Sequence, residues 1–176
     1  MKTFDIVNFE KKKSVNNKYS YKEGDTIIIQ SKEDYFREYK FSIQKKNFKK
    51  LYTYNNNGNL IGEATYFLGL LTGKVISYNE EGKIIRERDF TRLEFPFTVE
   101  QVAEKMKKDY GLDLYNIDGW EIHPQLWDNK SNSHCEWWVI GYLMDEGVNT
   151  RKTFRIDGKT GKLLGIENGS YGILPN

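Results

Sequence analysis

The chain has 176 residues, a single cysteine and a formal net charge of +2, with 38% apolar and 30% charged residues. That length suits one domain or two small fused ones, and it supports a core without disulfides, which the lone Cys135 cannot form internally. A charge so near balance argues against a nucleic-acid-binding domain, and no apolar run is long enough for a membrane-spanning helix.

The opening residues, Met1 to Glu10, set Asp5 inside the would-be apolar run and never reach seven apolar residues in succession. No secretory signal is expected, and with one cysteine the chain reads as cytoplasmic. Residues 1–50 hold 13 Lys/Arg against 7 Asp/Glu. Lysines mixed with acids along β-type sequence read as a solvated face that also blunts sheet edges.

From Tyr19 to Phe90 the signal is β. Thr26-Ile27-Ile28-Ile29 is a β-branched run, residues 35–43 partly alternate, and turn residues recur every ten or so positions. Tyr35, Tyr39, Phe41 and Ile43 are expected to form the core face of their strand. The same stretch interleaves aromatic and basic residues, as a stacking platform for nucleic acid would, but no nucleic acid is expected as partner.

The strongest feature is a repeat. Tyr54-Asn55-Asn56-Asn57-Gly58-Asn59-Leu60 returns 24 residues later as Tyr78-Asn79-Glu80-Glu81-Gly82-Lys83-Ile84. Each copy reads as an aromatic strand end, a polar turn with glycine at positive φ, and an apolar strand start. Between them, residues 67–73 read as an apolar bridge in which Gly69 and Gly73 allow a bend where two layers approach.

Pro96 biases Phe95 away from helix, and Thr98-Val99-Glu100-Gln101 matches a capping box with Phe97 placed to staple onto Val102. Val99, Val102, Ala103, Met106 and Tyr110 follow at helical spacing, and Gly111 supplies the stop. Strands are then expected at about 115–123, 135–144, 151–157 and 162–167. The run from Cys135 to Leu143 is apolar on both alternating faces, which marks a central strand. Asp157-Gly158-Lys159-Thr160-Gly161 reads as a tight turn.

Chemistry is sparse. A Cys135 nucleophile needs a base in reach; adjacent His134 points to the opposite strand face, which leaves His123 on a neighbouring strand. A buried structural thiol is the simpler reading. His123, His134 and Cys135 lack the spacing and fourth ligand of a zinc site, and Glu80/Glu81, Asp118/Glu121 and Asp145/Glu146 sit in polar turns or strand ends. Gly69 to Lys74 has the wrong spacing for a phosphate loop. No cofactor or metal is expected.

Binding features are better supplied. Residues 125–134 read as a polar loop carrying one large aromatic, Trp127, beside Asp128. A second, acidic turn carries Asp145 and Glu146. An aromatic anchor ringed by polar groups is what an interface hot spot requires.

The paired Tyr-Asn-x-x-Gly-x-(Leu/Ile) blocks resemble the MORN-variant hairpin repeats of antitoxin-like proteins from bacterial toxin systems. Residues 97–167, with one helix, Trp137-Trp138-Val139-Ile140 and Phe154-Arg155-Ile156-Asp157-Gly158-Lys159-Thr160-Gly161, resemble a PepSY-type module. These resemblances imply a non-catalytic immunity protein that occludes a cognate bacterial toxin, with Trp127, Asp128, Asp145 and Glu146 as contacts. A PepSY-like modulator of a peptidase and a Cys-dependent enzyme are the alternatives. The expected architecture is α+β: an antiparallel β meander over 1–96 joined to one main helix packed on a C-terminal antiparallel sheet over 97–176, the two halves sharing an interface.

Overall fold

The structure, a computed structural model, describes residues 2–91, 94–129, 132–145 and 148–170, with side chains for all of these except 128, 129, 132, 133, 144, 145, 148, 149 and 170. The fold is α+β, with a seven-stranded meander followed by a four-stranded antiparallel sheet. Two compact units divide the chain, Met1–Phe67 with Leu71–Thr91 and Leu68–Leu70 with Arg92–Asn176.

The first unit begins with a helix that periodicity did not announce, α1 (Ile6–Lys12). Asp5 caps it by accepting from the Asn8 amide at 2.9 Å, and Phe9 is wholly buried. The strands β1 (Lys18–Glu23), β2 (Thr26–Lys32), β3 (Phe36–Ser42), β4 (Phe48–Tyr54), β5 (Leu60–Phe67), β6 (Leu70–Tyr78) and β7 (Ile84–Asp89) pair in chain order. Phe4 and Phe9 lie on Phe36, with ring centres 4.7 and 5.7 Å away, and Tyr54 and Leu60 complete that cluster. This corrects the reading of β3. Phe36 and Glu38 form its buried face, whereas Tyr39 and Phe41 are half-buried and Tyr35 and Ile43 are exposed. The aromatic residues of the N-terminal segment select the face, which strand alternation alone leaves open.

Glu38 is buried among donors: Gln30 Nε2 at 2.9 Å, Tyr54 Oη at 3.3 Å and the ammonium groups of Lys2 and Lys40 at 3.3 and 3.4 Å. A carboxylate so enclosed must be compensated from several sides, and two of the N-terminal lysines serve that role.

The repeat is structural as well as sequential. The Asn55 side chain accepts from the amides of Asn57 and Asn59 at 3.0 and 2.9 Å, and Asn79 accepts from Glu81 and Lys83 at 3.1 and 2.8 Å. Gly58 and Gly82 take φ of 80° and 78°, and the register shifts at Thr53/Tyr54 and again at Ser77/Tyr78. Short Asn side chains that replace backbone partners, followed by a left-handed glycine, specify this turn locally. The segment between the copies is a two-residue hairpin turn, with φ of 49° at Leu68 and 83° at Gly69. A Cβ at Gly69 or Gly73 would meet nothing within 4 Å, so these glycines serve backbone conformation and not the close approach of layers.

In the second unit, α2 (Val99–Tyr110) starts at the capping box of Thr98 and Gln101 and stops at Gly111, whose φ is 69°. The sheet comprises β8 (Trp120–Asn129), β9 (Asn132–Asp145), β10 (Val148–Asp157) and β11 (Leu163–Ser170) in the order β11-β10-β9-β8, so β9 is central. Val102, Ala103 and Met106 of α2 are buried with Ile122, Trp137, Val139, Phe154 and Ile156 of the sheet. Tyr110 packs on Phe154 at 4.8 Å between ring centres, and Trp137 Nε1 donates to the Phe97 carbonyl at 2.7 Å. Among the described residues no helix is long and apolar enough to cross a membrane.

Candidate binding site

Residues 125–129 and 132–134, expected as part of a loop, are strand residues. The β8–β9 ladder continues through Gln125↔Glu136, Leu126↔Cys135, Trp127↔His134 and Asp128↔Ser133 to Asn129↔Asn132. The hydrogen bonds of a hairpin ladder come from the backbone, so a run of Asp, Asn and Ser continues it once the register is set upstream. Likewise, Met144, Asp145, Val148 and Asn149 of the expected acidic turn are strand residues, since β9 runs to Asp145 and β10 starts at Val148.

Directly opposite residues of antiparallel strands share a face. The face of this sheet away from α2 therefore carries Trp127, His134, Glu136, Trp138 and Arg155 together, since Trp138 pairs with Arg155 across β9 and β10. At its centre is Glu136, only 1% exposed. Arg155 reaches both carboxylate oxygens, Nε to Oε2 and Nη2 to Oε1, each at 2.8 Å. Trp138 Nε1 donates to Oε2 at 2.8 Å, and His134 Nε2 lies 2.7 Å from Oε1. Four donors saturate the carboxylate, and the fork of Arg155 foremost holds its pKa down at about 2 against a burial that pushes the other way. Arg155 also donates from Nη1 to Glu167 at 3.1 Å.

Above this ionic floor stands Trp127. Its ring stacks on His134 at 5.6 Å and 27°, and lies 6.1 Å from Trp138, yet 42% of the residue stays in solvent. The chain Glu136–His134–Trp127 fixes the orientation of an exposed indole, a group of large contact area and little remaining freedom.

Of the contacts expected from sequence, Trp127 is the one whose side chain is placed. Asp128 and Asp145 are strand residues whose side chains lie outside those described, and Glu146 lies outside the described residues altogether. Strand alternation held the signal for the remainder of the cluster: in His134-x-Glu136-x-Trp138 the three polar-tipped side chains share one face, and a buried acid there requires a cation, which Arg155 supplies.

The reactive-looking trio is dispersed. Cys135 faces the α2 side, where its thiol donates to the Glu94 carbonyl at 2.9 Å and burial raises its pKa. His123 pairs with Trp138 on the opposite face and contacts Glu121 at 3.0 Å. The sheet thus separates this thiol from both imidazoles. Among the described residues no three His, Cys, Asp or Glu side chains converge as metal ligands would.

No protein-family model, curated protein or solved structure matches the chain.

Proposed function

We propose that this protein is a stoichiometric binder of another protein, an immunity factor that neutralises a bacterial toxin by covering it with the exposed Trp127 end of the four-stranded sheet. The exposed Trp127, held by His134 over the saturated Glu136, carries this reading. An aromatic anchor in a fixed rotamer loses little conformational entropy when a partner closes on it, and the surrounding Arg155 and Glu167 supply polar contacts at the rim. Occlusion needs no chemistry from the chain, only a rigid surface complementary to the toxin. The resemblance of the paired Tyr-Asn-x-x-Gly blocks to antitoxin-type hairpins supports the same class of partner.

The test is affinity capture from the native cell lysate with the wild-type chain and Trp127→Ala side by side, followed by titration of the partner found. A single protein bound one to one, with an affinity that falls about thirtyfold or more in the variant, is the expected outcome. A partner that binds both chains equally would remove Trp127 from the interface, and with it the support for this surface.

A further inference from the structure

We propose a small-molecule site in the second unit, on the α2 side of the sheet beyond the helix C-terminus, which takes a carboxylic acid carried on a single ring or short alkyl chain. A cleft of about 250 Å³ lies there among Tyr110, Trp120, Leu143, Phe154 and Ile166, with Lys152 at its border. Three of these residues are aromatic, and their rings form a continuous wall: Tyr110 and Trp120 lie 4.8 and 6.0 Å from Phe154. Leu143 and Ile166 are 40% and 42% exposed, so the apolar lining runs out to the mouth of the cleft.

The sequence opens this space by design of its backbone. Gly141 is the position over which the Trp120 indole lies; a Cβ there would sit 2.5 Å from the ring. With glycine, Trp120 lies flat against β9 and the wall beside Phe154 stays clear. A larger residue would lift the indole into the cleft.

Size and charge select the ligand. An apolar cavity of about 150 Å³ accommodates benzene, and pockets for drug-sized ligands begin at about 300 Å³, so this volume matches one ring with a short tail. The aromatic wall favours a ring in edge or offset contact. The tail must meet Lys152, whose ammonium lies 5.2 Å from the Phe154 ring centre and which, among the described residues, takes part in no ion pair. Register places Asn168 opposite Lys152 on the same face, a second donor for an oxyanion. The neighbouring acid, Glu167, points to the other face, where it binds Arg155. An apolar cleft bordered by a lysine that has no ion-pair partner among the described residues is complementary to an amphipathic anion.

The experiment is a titration of the ¹⁵N-labelled chain with 3-phenylpropionate and, separately, with neutral 3-phenylpropan-1-ol, following the Trp120 indole N–H and the Leu143 amide. Saturable shifts with the acid are expected, and affinity about tenfold weaker for the alcohol. Lys152→Gln should erase that difference while leaving alcohol binding unchanged, and Ile166→Trp, at an exposed border position, should fill the cleft and abolish both. The spectra of the variants report directly whether they remain folded. Absence of a saturable shift, equal affinity for acid and alcohol, or binding that survives Ile166→Trp overturns the proposal. None of these results depends on whether a protein partner is found on the opposite face.

Discussion

Arg155 grips Glu136 with two parallel hydrogen bonds of 2.8 Å, and the two members of the pair differ sharply in their access to water. The Glu136 side chain is 1% exposed and that of Arg155 34%. Removal of one partner therefore has unequal effects. In Glu136→Gln the guanidinium can turn to solvent and to Glu167, and the expected loss is about 2 kcal/mol; in Arg155→Met the carboxylate stays buried without a cation, and the expected loss is about 3–5 kcal/mol. Urea denaturation of both variants checks the order. A larger loss for Glu136→Gln would contradict it.

The same pair sets a pH dependence. The pKa of Glu136 is lowered from 4.5 to about 2, first by the Arg155 hydrogen bonds. A depressed folded-state pKa contributes stability that is complete above the unfolded value and is lost as pH falls from about 5 towards 2, on the order of 3 kcal/mol for this residue. Denaturation midpoints measured across that window should fall steeply for the wild type and more shallowly for Glu136→Gln.

Trp127 is held by stacking yet keeps 42% of its surface in water, so its truncation should separate binding from folding. Trp127→Ala is expected to cost less than about 1 kcal/mol of stability, because the lost contacts are chiefly those with His134 and Trp138 at the surface. A thermal melt within a few degrees of the wild type, together with the weakened capture described above, is the expected combination.

Gly141 on β9 and Gly165 on β11, with β10 between them, make opposite demands. A Cβ at Gly141 would press on the Trp120 ring at 2.5 Å, whereas one at Gly165 would meet nothing within 4 Å. Gly141→Ala should cost about 3 kcal/mol through forced movement of the indole, and Gly165→Ala should be neutral or slightly stabilising. Chemical denaturation of the two variants, with near-ultraviolet circular dichroism to follow Trp120, makes the comparison.

Cys135 is buried, engaged with the Glu94 carbonyl and raised in pKa by that burial. Its thiol should therefore be inert to iodoacetamide at neutral pH in the native state and react promptly in urea. Rapid native alkylation would revive the Cys-dependent enzyme.

Much of this architecture was legible in the sequence, and the boundary of legibility has physical causes. The Asn55 and Asn79 turns and the Thr98–Gly111 helix are specified by local hydrogen bonds and by φ, so their residues announce them. The helix at Ile6–Lys12 is only 7 residues long and is held by burial of Phe9 rather than by its own periodicity. Leu68 adopts a positive φ that its identity does not favour, because the flanking strands leave it a two-residue turn. The polar stretch after Gln125 reads as loop because side-chain polarity reports exposure, not backbone pairing. For the candidate site, Trp127 was readable as a large aromatic in a polar stretch, but its support from His134, Glu136 and Arg155 became readable only with the strand register, since Arg155 lies 19 residues from Glu136.

The offset of the two Asn turns has a consequence for how such a sheet can grow. Residues 55–78 make one turn, one strand, a two-residue reversal and one strand, and after these 24 residues the chain resumes the same direction with the same turn chemistry. Tandem duplication of that block would lengthen the meander by two strands without inverting any downstream strand. Unequal recombination at this point of a gene would thus yield longer or shorter siblings whose termini keep their polarity, so that this sheet can vary in width across a lineage while the elements after it stay in frame.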